Sequence, residues 1–512
     1  MSAAPGWLSR REILRLGAGV ALGSFAATSS GTASGQVASA AGPGVLPSKA
    51  SLSVAGEVQQ YRSRPDLSPA AVFLGVDRPG QAGGLVIMDT HGGPGQQGPM
   101  ILDGQGELVW FQPVSTGATF SKRAMNVRVQ TYRGRPVLTW WEGAVAYAHG
   151  QGHYVIADQS YAQVARVSAG NGYLGDLHEF LLTPNGTALL TCYGTARADL
   201  RSLGGPSRAS YFYGVAQEVD IETGKVLFQW RSDQHVSLAD SYAPLPKGNS
   251  PWDYFHINSI SVADDGNLLI GSRNTWCVYK VSRKSGQVLW RMGGKKSDFS
   301  FGPGARFAWQ HDAVQQPDGT FTIFDNGAGD YVTEKQSRGL VLRVSTTGHH
   351  VDLVRQYLHP GQPLSAGAWG SVQPLSDGHV FMGWGVGAYF TEFDQSGRAL
   401  LDGHLAGQGT ISYRAFRSDW VGLPKDEPVV AAVKNGSGMS VYASWNGATE
   451  VSTWVVLAGE HASSLRELGT APRQGFETAI SAPAWAPYVA VAALGASGGQ
   501  LGRSGVVRAQ GG

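Results

Sequence analysis

One pattern returns six times along the chain: an apolar strand, a turn built on Asp or Ser and Gly, and a second strand often ending in Trp. The copies are ILDGQGELVWFQ at 101, IADQSYAQVARV at 156, VDIETGKVLFQW at 219, KVSRKSGQVLWR at 280, RVSTTGHHVDLV at 343 and EFDQSGRALLDG at 392. Their spacing is roughly 50 to 60 residues, the length of a four-stranded unit that cannot bury both faces without neighbours. The repeat therefore predicts an all-β chain built as a six-bladed β-propeller. The 71 glycines and 15 tryptophans fit many short strands joined by tight turns.

A second hairpin recurs between these copies, with an Xaa-Gly turn before an apolar strand: YRGRPVLTWW, PNGTALLTCY, DDGNLLIGSR, PDGTFTIFDN and SDGHVFMGWG. Eight residues before each turn glycine stand Asn126, His178, Asn258, His311 and Gly370. Equivalent positions in successive blades occupy equivalent places around the axis, so these residues are expected to ring the central channel. His256 stands two residues before Asn258, and period-two alternation predicts that both face the same way. Three imidazoles and two carboxamides are then expected to converge. Arg273 ends the strand of LLIGSR, one hairpin turn from His256, and its planar fork suits an oxyanion. Asn326 has the same offset in the next blade, preceded by Asp325, which either forms a turn or orients a histidine. His149 and the other histidines outside this register receive no role.

The N-terminus reads Ser9-Arg10-Arg11-Glu12-Ile13-Leu14-Arg15, then an apolar run from Leu16 to Ala27, then Ala38-Ser39-Ala40 as a small-residue cleavage site. These features in this order predict a twin-arginine signal peptide over residues 1–40, with the export machinery as a partner and a secreted or cell-envelope product. No later run approaches the ~20 apolar residues of a membrane span. Residues 41–66 are expected to be an extension and 67–420 the propeller. After Val421 the pattern changes: Pro424 and Pro428 mark a linker, and the alternating strands that follow predict a small C-terminal β-sandwich over 421–512. Cys192 and Cys277, the two cysteines, sit in apolar strands and are expected as buried free thiols. With 40 basic and 38 acidic residues and no basic block, nucleic acid is not an expected partner.

His178, His256 and His311 beside a channel allow three kinds of chemistry. They can bind a metal, although the local i, i+2 or i, i+4 spacing common among metal histidines is missing. One can act as a nucleophile while the others and Arg273 neutralise charge, with no cofactor. Or the propeller binds without reacting. Phe255, Trp309 and Trp369 lie nearby in sequence as surfaces for an aryl ring, or as core.

The segments YRSRPDLSPA at 61, GPMILDGQGELVWF at 98, DLHEFLLTPNGTALLT at 176, DYFHINSI at 253, FAWQHDAVQQPDGTFTIFDNG at 307 and SYRAFRSDWVG at 412 resemble the aryl sulfotransferases that use a phenolic sulfate ester as donor, especially their actinobacterial and fungal branch. The resemblance spans nearly the whole mature chain. It implies a six-bladed propeller and a ping-pong transfer, from an aryl sulfate donor to a phenolic acceptor, through a sulfated histidine. By motif the nucleophile corresponds to His311. His256, Asn258 and Arg273 would hold the sulfuryl oxygens and His178 would assist proton transfer at the phenolic oxygen; beside these, Asn126 from the register, and Phe255, Trp309 and Trp369 from their nearness in sequence, are expected to contact substrate. It implies neither a cofactor nor a metal. Enteric-type members carry an N-terminal sandwich, whereas this chain is expected to end in one. VDIETGKVLFQW also resembles the repeats of quinone-dependent dehydrogenases, so an exported quinoprotein and a non-catalytic envelope-binding propeller are the alternatives.

Overall fold

The computed structural model describes residues 51–53, 57–114 and 122–511. The expected signal peptide and most of the expected extension lie outside the described residues. The described chain is all-β, and its helical elements are 3-10 turns of three residues such as Arg201–Leu203.

The strands group into antiparallel units. From the inside outward the first contains Ala415–Ser418, Leu85–Thr90, Gly98–Leu102 and Leu108–Phe111. The inner strands of the units that follow are Arg123–Tyr132, Gly175–Leu182, Ile257–Val262, His311–Gln315 and Ser371–Pro374. Each inner strand touches the next, and the last returns to Ala415–Ser418, so the arrangement is a closed, β-propeller-like ring. Closure joins the two ends of the repeat region: Ala415–Ser418 pairs with Leu85–Thr90, and Val72–Asp77 adds a strand outside Ala399–Leu405. Two units merge into one nine-stranded sheet through the pairing of Gly175 with Gly152. A Cβ on Gly152 would stand 2.0 Å from the Glu142 carbonyl oxygen, so only glycine admits that approach.

The sequence repeat explains how the units hold together. Turn aspartates cap their own hairpins: Asp103 accepts from the amides of Gln105 and Glu107, and Asp394 from those of Ser396 and Arg398. The tryptophans closing the repeat fill the seam to the next unit. Trp110 stacks on Tyr161 at 4.6 Å, Trp230 packs on Phe255, and Trp290 meets Phe321 edge-on.

Four inner strands are bulged near their starts, where pairing slips between Met125 and Arg128, Gly175 and Phe180, Ile257 and Ser259, and His311 and Val314. Asn126, His256 and Asp312 adopt φ of +60°, +52° and +52° at or beside these bulges. Bulges re-aim side chains, and here they break the strict alternation expected along these strands. Gly370, the fifth register position, has φ +106°, and the Phe324 ring lies 2.6 Å from where its Cβ would stand.

Residues 429 to 508 form two further sheets, one containing Val429–Asn435, Gly438–Ser444 and Glu477–Ala482, the other containing Thr453–Gly459 and Tyr488–Leu494. Val441, Trp454, Val456, Val489 and Val491 share one buried core. This region docks on the first unit, where the Asn446 carboxamide accepts from the Phe111 amide and donates to the Phe111 carbonyl. Cys192 and Cys277 are buried free thiols.

Candidate active site

A cavity of about 440 Å³ opens at one end of the ring, with His178, His256, His311, Arg273 and Trp369 in its wall. The His178 ring centroid lies 4.8 Å from that of His256 and 6.4 Å from that of His311. The three imidazoles come from three successive inner strands or the turns leading into them.

Each ring is tied at Nδ1. His311 Nδ1 lies 2.7 Å from Asn326 Oδ1. The Asn326 amide spends its two N–H bonds on the carbonyls of Ala366 and Trp369, so its oxygen faces His311 and must accept from Nδ1–H. The neutral ring therefore has its lone pair on Nε2, and the Trp369 amide donates to that nitrogen at 3.3 Å. Burial pushes His311 well below the ordinary imidazole range, and the neighbouring His178, Arg273 and His256 add to the shift against the pull of Asn326. At neutral pH this ring is unprotonated.

His178 Nδ1 lies 2.6 Å from Asp176 Oδ2, while its Nε2 has no protein partner. Burial opposes the Asp176 charge, but His178, the Gly150 amide and His149 together hold the carboxyl below its usual range. His256 Nδ1 lies 2.5 Å from Asp253 Oδ2, and burial pushes the ring down to about 4 despite that carboxylate. Arg273 follows the strand Leu268–Ser272, and its amide donates to the His256 carbonyl. Its guanidinium lies over the Trp309 ring at 4.8 Å and donates to Asn274 Oδ1 at 2.8 Å.

Four residues expected at the site stand elsewhere. Asn258 is buried below the pocket, donating to the Gln310 carbonyl, because the bulge and the positive φ of His256 turn the two side chains apart. Asn126 lies in the same lower layer, donating to the His178 carbonyl and accepting from Arg414. Phe255 is core, packed among Trp230, Tyr254 and Tyr279. Trp309 is buried behind Arg273 as its stacking platform, whereas Trp369 does reach the cavity wall. Asp325 bonds to Arg338 and the Ala308 amide, and Asn326 is what orients His311.

The structure adds residues that received no role. Asp176 and Asp253 precede His178 and His256 by two and three positions, a short-range signal present in DLH and DYFH. His149 reaches Asp253 from another unit. Arg414 lies fully buried beneath the pocket, paired with Glu179 at 3.0 Å and near Asp312 at 3.6 Å. His149 Nε2, Asp253 and His256 Nδ1 offer ligand atoms within 4.8 Å of one another. Their 2.8 and 2.5 Å separations from the carboxylate are hydrogen-bond lengths.

A β-propeller-like ring that lines one cavity with three tied imidazoles and a guanidinium offers a basic pocket for an anionic group. Residues 128–406 match the model of the arylsulfotransferase (ASST) family. That is more than half of the chain, and the chain belongs to this family. No curated relative matches it. Among solved structures it is similar to a protein of unknown function from Bacteroides caccae, at 14% identity over 65% of this chain and 98% of that one, with a TM-score of 0.39. It is also similar to a catalytically inactive virginiamycin B lyase from Staphylococcus aureus, solved with quinupristin (9% identity, 77% and 97% covered, TM-score 0.29). A third is the β-propeller domain of Cps50 (Swd1) from Myceliophteria thermophila (10%, 64% and 97%, TM-score 0.31). Among the described residues no helix is long and apolar enough to cross a membrane.

Proposed function

We propose that this arylsulfotransferase-family protein moves a sulfuryl group from an aryl sulfate to a phenol by a ping-pong mechanism through sulfated His311. The observation that supports this most directly is the tautomer of His311. Its Nδ1–H is committed to Asn326, so the lone pair is on Nε2, in the cavity wall that Arg273 shares, where the long 3.3 Å bond from the Trp369 amide gives way to sulfur. In the first step Nε2 attacks sulfur, the bond from sulfur to the aryl oxygen breaks, and His178 supplies the proton that the departing phenolate takes up. In the second step His178 takes the proton of an incoming phenol, whose oxygen attacks the sulfohistidine and releases neutral His311. Arg273, fixed in place before the reaction, binds the sulfuryl oxygens as a charge-assisted donor, and His256, neutral in the empty pocket, joins it once the charge of the bound ester draws a proton onto its Nε2. Trp369 and the cavity's prolines, Pro244, Pro246 and Pro251, contact the aryl ring.

The wider reading extends the same proposal. Residues 67–420 form a six-bladed propeller, 421–512 a C-terminal sandwich, and 41–66 an extension. Residues 1–40 direct export through the twin-arginine machinery to the cell envelope or beyond, and the chain falls in the actinobacterial and fungal branch. The test is incubation with an aryl sulfate and no acceptor, followed by peptide mass analysis at neutral to alkaline pH. One sulfo group on His311, absent from His311→Ala, is the expected result. Turnover of the donor with no such adduct would exclude the covalent route.

A further inference from the structure

His149 begins the strand His149–Ala157, and the two residues of the turn before it, Tyr147 and Ala148, adopt φ of +54° and +63°. Such a turn normally carries Asn-Gly, so two residues with side chains are held in a disfavoured conformation at the pocket edge, where Ala148 lines the cavity. The turn delivers a buried imidazole. His149 stacks on Tyr193 at 3.7 Å and meets Phe212 edge-on at 4.5 Å. Tyr193 is itself anchored by its hydroxyl, which donates to the Ile257 carbonyl.

His149 Nε2 lies 2.8 Å from Asp253 Oδ2, the same oxygen that lies 2.5 Å from His256 Nδ1. Asp253 Oδ1 accepts from the His256 amide at 3.0 Å, and the short strand Trp252–Asp253 is fixed by parallel pairing with Tyr211 and Phe212. We propose that His149 and Asp253 are a positioning pair for His256: the carboxylate bridges both imidazoles and holds His256 with Nδ1–H inward and Nε2 toward the sulfuryl position. This rests on the transfer reading above. An ionised carboxylate only accepts, so both nitrogens facing it carry hydrogen, and His256 Nε2 is the atom left to take up a proton. The charge of an arriving anionic ester offsets the burial that keeps the ring neutral, Nε2 takes a proton from solvent, and His256 becomes an N–H donor to a sulfuryl oxygen. His149 clamps the shared oxygen from its far side, so the carboxylate cannot rotate away. The groups facing His256 from the surrounding elements are Asp253, His149, His178, Tyr193, Arg273 and His311.

The test uses the full chain with Asp253→Asn, His149→Leu and His149→Gln, each checked for an unchanged melting temperature. Both rings face one oxygen, so an asparagine either presents its N–H there to both, forcing wrong tautomers as in catalytic triads, or sets that N–H against the His256 amide in the place of Oδ1, and either orientation breaks the arrangement. The expected loss in kcat/KM for phenol release is on the order of 10²-fold or more, carried mainly by kcat. His149→Leu loses part of that, and His149→Gln, which keeps a donor, loses less than His149→Leu. In ¹⁵N-histidine NMR the neutral His256 ring of the unsubstituted protein is protonated at Nδ1, and that signature is lost in Asp253→Asn. Folded Asp253→Asn and His149→Leu proteins with unaltered kcat/KM would overturn the proposal, as would a neutral His256 protonated at Nε2. If the unsubstituted protein releases no phenol from any aryl sulfate, the transfer reading fails, and the NMR result still decides the positioning pair.

Discussion

Replacing Asn326 with leucine isolates the contribution of one buried carboxamide. In the folded protein it makes three hydrogen bonds of 2.7 to 3.0 Å, to His311 Nδ1 and the carbonyls of Ala366 and Trp369, and it is fully buried. Ala366 keeps a second donor, Ser337 Oγ at 3.3 Å, so His311 Nδ1–H and the Trp369 carbonyl lose most. At about 1 to 3 kcal/mol for each of these two orphaned groups, the folded state weakens by about 2 to 6 kcal/mol. The catalytic effect is separable. One hydrogen bond of about 1 to 3 kcal/mol that favours the Nδ1–H tautomer converts to roughly 5- to 150-fold in rate. The assay is the burst of phenol released before any acceptor is added: amplitude counts active sites, and the rate reports the attack proposed for His311. Asn326→Leu should keep the amplitude and lose rate. A full-amplitude burst at the unsubstituted rate would refute the claim that this carboxamide sets the nucleophile.

Acid should destabilise the protein in two stages. The unfolded chain binds protons at histidine from pH 6.5 downward, whereas burial makes His256 refuse one until about 4, so stability falls across that window by about 3 kcal/mol from His256. His311 acts in the same direction, and Asp176 and Asp253, held low in the folded state, add a loss below 3.8. Urea midpoints at pH 7, 5.5 and 4.5 measure the first stage, and a flat series would contradict it. Arg414→Leu strands Glu179 and Asp312 below the pocket and should cost about 3 to 5 kcal/mol, read as a fall in urea midpoint. Burial pushes the thiols of Cys192 and Cys277 up, so a thiol reagent should label both only after denaturation, and native labelling would disprove their burial.

Turn chemistry made much of this architecture legible. A glycine eight residues downstream places His178 and His311 at matched starts of inner strands, and the structure brings both to one cavity. What alternation could not supply was the orientation of neighbours. Asn258 shares a strand with the chain leaving His256, yet a bulge and a positive φ at a residue with a side chain send the two in different directions. Such a conformation is imposed by tertiary contacts and leaves no mark in a period-two pattern. His149 was illegible for another reason. It meets Asp253 across 104 residues of sequence, through a hairpin turn that lacks the expected Asn-Gly.

The misplaced carboxamides explain why the pocket can be rigid. Below the imidazoles, Arg414 bonds to Asn126, Glu179 and the Asn258 carbonyl, each from a different inner strand. Carboxylates clasp adjoining units in the same way: Asp89 accepts from the amides of Asn126 and Tyr413, and Asp312 from that of Val372. A floor stitched across the inner strands leaves little freedom for the strand starts to separate. Donors that must meet charge developing at sulfur gain most when they need not reorganise. The same register that aligns the histidines therefore also supplies the layer that holds them still, and a substitution in that layer would alter the proposed transfer without touching substrate.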